Sequence, residues 1–228
     1  KKTNRSEERG DDSNGSATLS AREQECLKRK ELHPDDFAVA RTKELDARGR
    51  FYRWPKRYSP TIKLLTVHHT ASNRSGDDRE PWERMRLLYE YHAKSRGWGD
   101  IGYHYVIDDE GQIYEGRHGG DYVVGGHAYC ANVGTIGVAL MGNFQEEKPT
   151  QAQMKSLQWL LGDLANKYDI NLRQSVQYQG KTQRPIVGHN ALSATACPGY
   201  YVSETLSQIW RNVRNGKVNN PIRFPAGK

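Results

Sequence analysis

The chain has 228 residues, 36% of them hydrophobic and 27% charged, and its mean hydropathy is −0.89. That length supports one domain of ordinary size plus an appendage, and its longest apolar runs, such as 136–141, are far too short to cross a bilayer. A formal net charge of +7 favours anionic polymers or phospholipid surfaces; the Lys and Arg are dispersed without a recognisable nucleic-acid motif, so no nucleic-acid partner is expected.

Residues 1–19 are charged, rich in Ser, Gly and Asn, and nearly without large apolar side chains. Such a segment cannot offset its ordering entropy and is expected to be a disordered arm. It contains no apolar signal-peptide core, and the chain begins without Met, which points to a processed or truncated precursor. From Ser20 the pattern turns helical, with Ser20 as N-cap and Glu23 completing a capping box. A second helix is expected from Pro34–Asp35, and Pro55 and Pro60 close the region. Residues 20–60 are thus read as a helical N-terminal extension packed on a main domain spanning 61–215, with 216–228 as a tail.

In the main domain, Ile62–His69 is a β-branched and apolar run that predicts a central strand. Trp82, Met85, Leu88, Tyr89 and His92 recur at three- and four-residue spacing and predict an amphipathic helix over 81–95. Two short strands, 103–107 and 112–116, flank the turn Asp108-Asp109-Glu110-Gly111, and 135–141 reads as another buried strand. Thr150, with Gln153 three residues on, caps a helix whose apolar face is Met154, Leu157, Leu160, Leu161 and Leu164. A short strand at 185–187 and a helix at 203–213 complete the pattern. Strands alternating with helices predict an α/β domain with a central mixed sheet flanked by helices.

Two places concentrate metal-ligand chemistry. His68 and His69 end the first strand, where neighbouring side chains point to opposite faces, so only one of them can serve a given site in regular geometry. His189 and Cys197 stand eight apart in a loop of small and polar residues. Imidazole and thiolate suit zinc, and three protein ligands with one open position are the catalytic arrangement. Either His68 or His69 completes that set on residue chemistry alone. Cys26 and Cys130 remain as a bridge or as two thiols.

Four stretches in order, TVHHTA (66–71), GWGDIGYHYVIDDEGQIYEGR (97–117), GGHAYCANVGTIGVALMGNF (125–144) and GHNALSATACPG (188–199), resemble the type 2 N-acetylmuramoyl-L-alanine amidases, which include peptidoglycan recognition proteins and phage amidase lysozymes. The resemblance covers about 60–215. It implies hydrolysis of the amide between N-acetylmuramic acid and the L-alanine of the peptidoglycan stem peptide, with Zn2+ held by His68, His189 and Cys197. It further implies catalytic roles for Tyr103 and Thr195, and a substrate groove shaped by Tyr105, Arg117, His127 and Asn132. Glu115 matches the family without a defined role. A monomeric protein, secreted or in the cell envelope, acting on peptidoglycan or muropeptides is the expectation. The alternative within the resemblance is a module that binds wall fragments without cutting them; the retained Cys197 argues against it.

Overall fold

The computed structural model describes residues 56–74 and 76–226. The expected arm at 1–19, nearly all of the extension at 20–60, and Cys26 lie outside the described residues.

The centre of the fold is β1 (Leu64–His69), buried at every position and flanked on both sides by parallel neighbours. With β2 (Tyr105–Ile107), β3 (Ile113–Glu115), β4 (Thr135–Leu140) and a strand at Ile186–Gly188, it forms a five-stranded sheet. Within this sheet β2 and β3 pair antiparallel, across the turn anticipated at 108–111, and the other described pairings are parallel. Strands buried on both faces need no polar alternation, which is why β1 and β4 read as continuous apolar runs.

Register divides the sheet's side chains cleanly. Val67, Val138 and Tyr105 are in-register neighbours, as are His68, Ala139 and Val106, so the two sets face opposite ways. The first face, with Leu65, Ile107, Ile136 and Leu140, packs against α2 (Gln151–Lys167) and α3 (Tyr200–Arg214) through Met154, Leu157, Leu161, Val202 and Ile209. On the second face Val106, Ala139 and Met141 join Ile101 and Tyr103 beneath α1 (Pro81–Glu90), which contributes Met85, Leu88 and Tyr89. The expected mixed sheet flanked by helices is the observed architecture, with helices on both faces.

Local signals account for most boundaries. Thr150 caps α2 by accepting from the Gln153 N–H, and the Gln153 side chain accepts in return from the Thr150 N–H. The helix expected over 81–95 changes character at Tyr91–Ser95, a π-helical turn. That wider turn carries His92 inward, where its carbonyl accepts from the Trp98 N–H and its Nδ1 from the Gly102 N–H. A hairpin of β5 (Val176–Tyr178) and β6 (Lys181–Gln183) was not anticipated. Its Gln179 and Gly180 both have positive φ, 47° and 73°, as a type I′ turn requires, but its residues are polar and largely exposed and carry little periodic signal. The strand Ile186–Gly188, β7, then leads into the site.

Candidate metal centre

The carboxyl ends of parallel strands leave an open crevice that α/β proteins use for ligands, and two expected ligands stand there. His68 is the penultimate residue of β1, and His189 follows directly on β7 in a single 3-10 turn, His189–Ala191. The loop after that turn returns Cys197 to the same point, closed by the Asn190 N–H donating to the Cys197 carbonyl at 2.9 Å. Gly199, at φ 87°, ends the loop; a Cβ there would run into the Phe144 backbone, so only glycine fits.

His68, His189 and Cys197 are buried, and their donor atoms lie within 4.8 Å of one another. Cys197 Sγ is 3.5 Å from His68 Nδ1. Two ligands of one tetrahedral zinc, at usual Zn–N and Zn–S lengths, would stand about 3.6 Å apart. The His68 and His189 ring centroids are 4.6 Å apart, and the His69 backbone N–H points at Cys197 Sγ at 3.5 Å. Burial, and then the neighbouring His189, push the His68 pKa well below its ordinary value. The imidazole is therefore uncharged at neutral pH, the form that ligates a metal. Three buried nitrogen and sulfur donors within 4.8 Å of one another, one pair at the tetrahedral ligand spacing, fit zinc with a fourth position open.

The register decides between the paired histidines. His69 faces α2 and α3, where its Nδ1 accepts from the Phe144 N–H at 3.2 Å.

Tyr103 and Thr195 are both beside the cluster. The Tyr103 ring lies 5.1 Å from that of His68, and its hydroxyl donates to the His69 carbonyl at 3.3 Å. Thr195 Oγ1 accepts from the Cys197 N–H at 3.1 Å. The four residues expected to shape a groove make the following contacts. Tyr105 points to the opposite face from His68, and its hydroxyl donates to Asp121 at 2.5 Å. Arg117 is 5% exposed and donates to the Trp98 carbonyl at 3.4 Å; burial lowers its pKa to about 10. Asn132 is buried, and its Oδ1 accepts from the N–H groups of His127 and Ala128 at 2.8 Å each. His127 is buried too, with its Nδ1 2.9 Å from His68 Nε2. Glu115 is exposed on β3, and His104 is a brace, its Nδ1 accepting from the Gly137 N–H and its Nε2 donating to the Val123 carbonyl.

Sequence reasoning missed Thr135, Asp121 and the inward turn of His92. Thr135 and Asp121 act through side chains that the fold brings together from distant segments, and no local pattern marks them. Cys130 is disulfide-bonded, whereas Cys197 is not in a disulfide.

Fold and cluster together define a class: a mixed-sheet α/β domain with a buried His/His/Cys centre at the strand ends. Residues 58–200 match the family model described as N-acetylmuramoyl-L-alanine amidase, and the chain belongs to that family. Peptidoglycan-recognition protein SC2 of Drosophila simulans is 32% identical over 153 residues, 67% of this chain and 73% of that protein. The human N-acetylmuramoyl-L-alanine amidase is 34% identical over 154 residues, which cover 67% of this chain but 24% of the human protein. Among solved structures, the amidase LysC from Clostridium intestinale URNW superimposes with a TM-score of 0.57 at 31% identity, covering 72% of this chain and 91% of that one. The family thus contains both amidases and recognition proteins.

Proposed function

We propose that this chain is a zinc-dependent amidase that cuts the bond between the lactyl group of N-acetylmuramic acid and the L-alanine of the peptidoglycan stem peptide. The observation that carries the reading is the convergence of His68, His189 and Cys197 at ligand spacing. Zinc held by His68, His189 and Cys197 would supply Lewis acidity toward the scissile carbonyl and would lower the pKa of a water to about 7. Around it, the Tyr103 hydroxyl, beside the His68 ring, would turn its one proton from the His69 carbonyl to the substrate carbonyl oxygen as charge develops there. The Thr195 hydroxyl, anchored on the Cys197 N–H, orients the attacking water. Arg117, Asn132 and Tyr105 are assigned to support of the surrounding loops, given their burial or their bonds away from the cluster.

The expected partner is peptidoglycan or its muropeptide fragments, met by a monomer outside the cytoplasm. A disulfide at Cys130 suits an oxidising compartment. Among the described residues no helix is long and apolar enough to cross a membrane.

The test is mass analysis of products from defined muropeptides, with zinc content measured on the same sample. Release of intact stem peptide that stops on chelation and returns with zinc is the expected result. A zinc-loaded protein that binds muropeptides and frees no peptide would establish a recognition module instead. Hydrolysis that survives complete metal removal would overturn the zinc assignment.

A further inference from the structure

A histidine ligates a metal through one ring nitrogen, and what the other nitrogen bonds decides its tautomer. His68 turns Nδ1 toward Cys197, while its Nε2 lies 2.9 Å from His127 Nδ1. His127 Nε2 in turn lies 3.3 Å from Thr135 Oγ1, and that hydroxyl reaches the carbonyls of Ala131 at 2.7 Å and Asn132 at 3.1 Å. All three side chains are buried, with His68 and Thr135 at 0% exposure and His127 at 6%.

The hydrogens along this chain follow from its end. A carbonyl only accepts, so the Thr135 hydroxyl donates to Ala131, the shorter contact, and its oxygen accepts from His127 Nε2–H. His127 Nδ1 then carries a lone pair and accepts from His68 Nε2–H. His68 is left with its Nδ1 lone pair directed at the point where Cys197 and His189 converge. One assignment satisfies every member.

The surroundings are shaped to hold the His127 ring. A Cβ at Gly137 would stand 2.5 to 2.7 Å from its ring atoms, and one at Gly125 would stand 2.5 Å from its Cδ2. The His104 ring meets it edge-on at 5.5 Å. Asn132 fixes the backbone by accepting the His127 N–H. Beta-strand β4 therefore supplies both the space, at Gly137, and the terminal acceptor, at Thr135.

We propose that His127 and Thr135 are positioning residues of the metal centre, a neutral His–Thr relay that locks His68 in the tautomer presenting Nδ1 to zinc. The inference rests on the zinc reading above. Outer partners of metal-bound histidines are commonly carboxylates, backbone carbonyls or water; a neutral imidazole in that place adds no negative charge, leaving the metal a stronger Lewis acid.

The experiment compares wild type with Thr135→Val, Thr135→Ser, His127→Leu and His127→Asn. Zinc affinity is read by chelator competition, and ring tautomers by 15N chemical shifts of the zinc-loaded protein. Wild type should show protonated Nε2 on both His68 and His127. Zinc affinity should fall about 10-fold in Thr135→Val and up to about 100-fold in His127→Leu. Thr135→Ser should restore the wild-type value, and His127→Asn should recover much of the loss because its Oδ1 can accept from His68 Nε2–H. Melting of the metal-free variants checks that each is folded at the temperature of the titration. Wild-type affinity in both Thr135→Val and His127→Leu, or a protonated Nδ1 on His127 in zinc-loaded wild type, would overturn the relay while leaving the zinc site intact. Failure of wild type itself to bind zinc would overturn the metal reading and the relay together.

Discussion

Asp121 collects three donors: the hydroxyls of Tyr105 and Tyr168 at 2.5 Å each and the Lys167 ammonium at 2.9 Å. The carboxylate is 8% exposed and ties the loop after β3 both to the sheet and to the end of α2. Burial alone would raise its pKa, but the bonds from Lys167, Tyr105 and Tyr168 outweigh burial and hold it below the ordinary 3.8. Replacement by Asn removes the charge with little change of shape. Hydrogen bonds to a charged group contribute about 1.5–3 kcal/mol each, yet not all of this is lost. Asn retains one acceptor for Tyr105, and the Tyr168 hydroxyl can turn to accept from its amide. Lys167, 56% exposed, returns to water for about 0–1 kcal/mol. The expected net loss is about 2 kcal/mol at pH 7, or about 4–8 °C in Tm for a domain of this size. A carboxyl whose folded pKa is depressed stabilises the fold above its unfolded pKa, and the contribution disappears as pH falls through the folded value. The gap between wild type and Asp121→Asn should therefore be full at neutral pH and close progressively below about pH 4. Urea unfolding of both proteins, metal-free to avoid stabilisation by bound zinc, measures it across that range. Equal stability at pH 7, or a gap that ignores pH, would refute the account. The same bond yields a prediction for Tyr105: Tyr105→Phe should cost stability and leave the KM for a muropeptide unchanged, whereas a raised KM would keep it in the groove.

Cys197→Ser replaces the thiolate with a poor zinc ligand, so zinc content should fall and peptide release drop by at least about two orders of magnitude, both measured on one preparation; full activity would refute the ligand assignment. Tyr103→Phe should lower kcat by about 10²–10³-fold with zinc content unaltered, since it removes one donor to the developing oxyanion. Unchanged kcat would reduce Tyr103 to a packing aromatic.

The helices and buried strands were legible because their signals are local. The Thr150 capping box and the apolar face from Met154 to Leu164 lie within one short window, and the apolar stretches of β1 and β4 are continuous. The proposed metal ligands were legible in part: residue chemistry marked the His189–Cys197 loop, but only the ordered motifs selected His68 over His69. The contacts of the expected groove residues were not legible, for a physical reason. Tyr105 sits one position from Val106, and the parity of β2 sends it to the α2 side, where Asp121 and Tyr168 wait from distant segments. His127 was expected only as a groove residue, on the resemblance. Its burial depends on Gly137 lying across from it in β4, a tertiary fact with no local trace.

The adjacent histidines of β1 illustrate how one strand end serves two sides of a sheet. His68 offers its ring to the cluster with His189 and Cys197. The His69 ring goes the other way and accepts from the Phe144 N–H, while its backbone stays with the site: the N–H points at Cys197 Sγ and the carbonyl accepts from Tyr103. Phe144 in turn accepts through its carbonyl from the Tyr201 N–H, in the first turn of α3, and lies against Gly199. The segment carrying Cys197 is thus held at both ends, by the Asn190 bond on one side and by Phe144 on the other. Loss of the His69 ring would loosen that second anchor without removing a ligand. Its effect should therefore appear as weaker retention of zinc in a centre whose ligand set is complete, whereas loss of His68 removes a ligand outright.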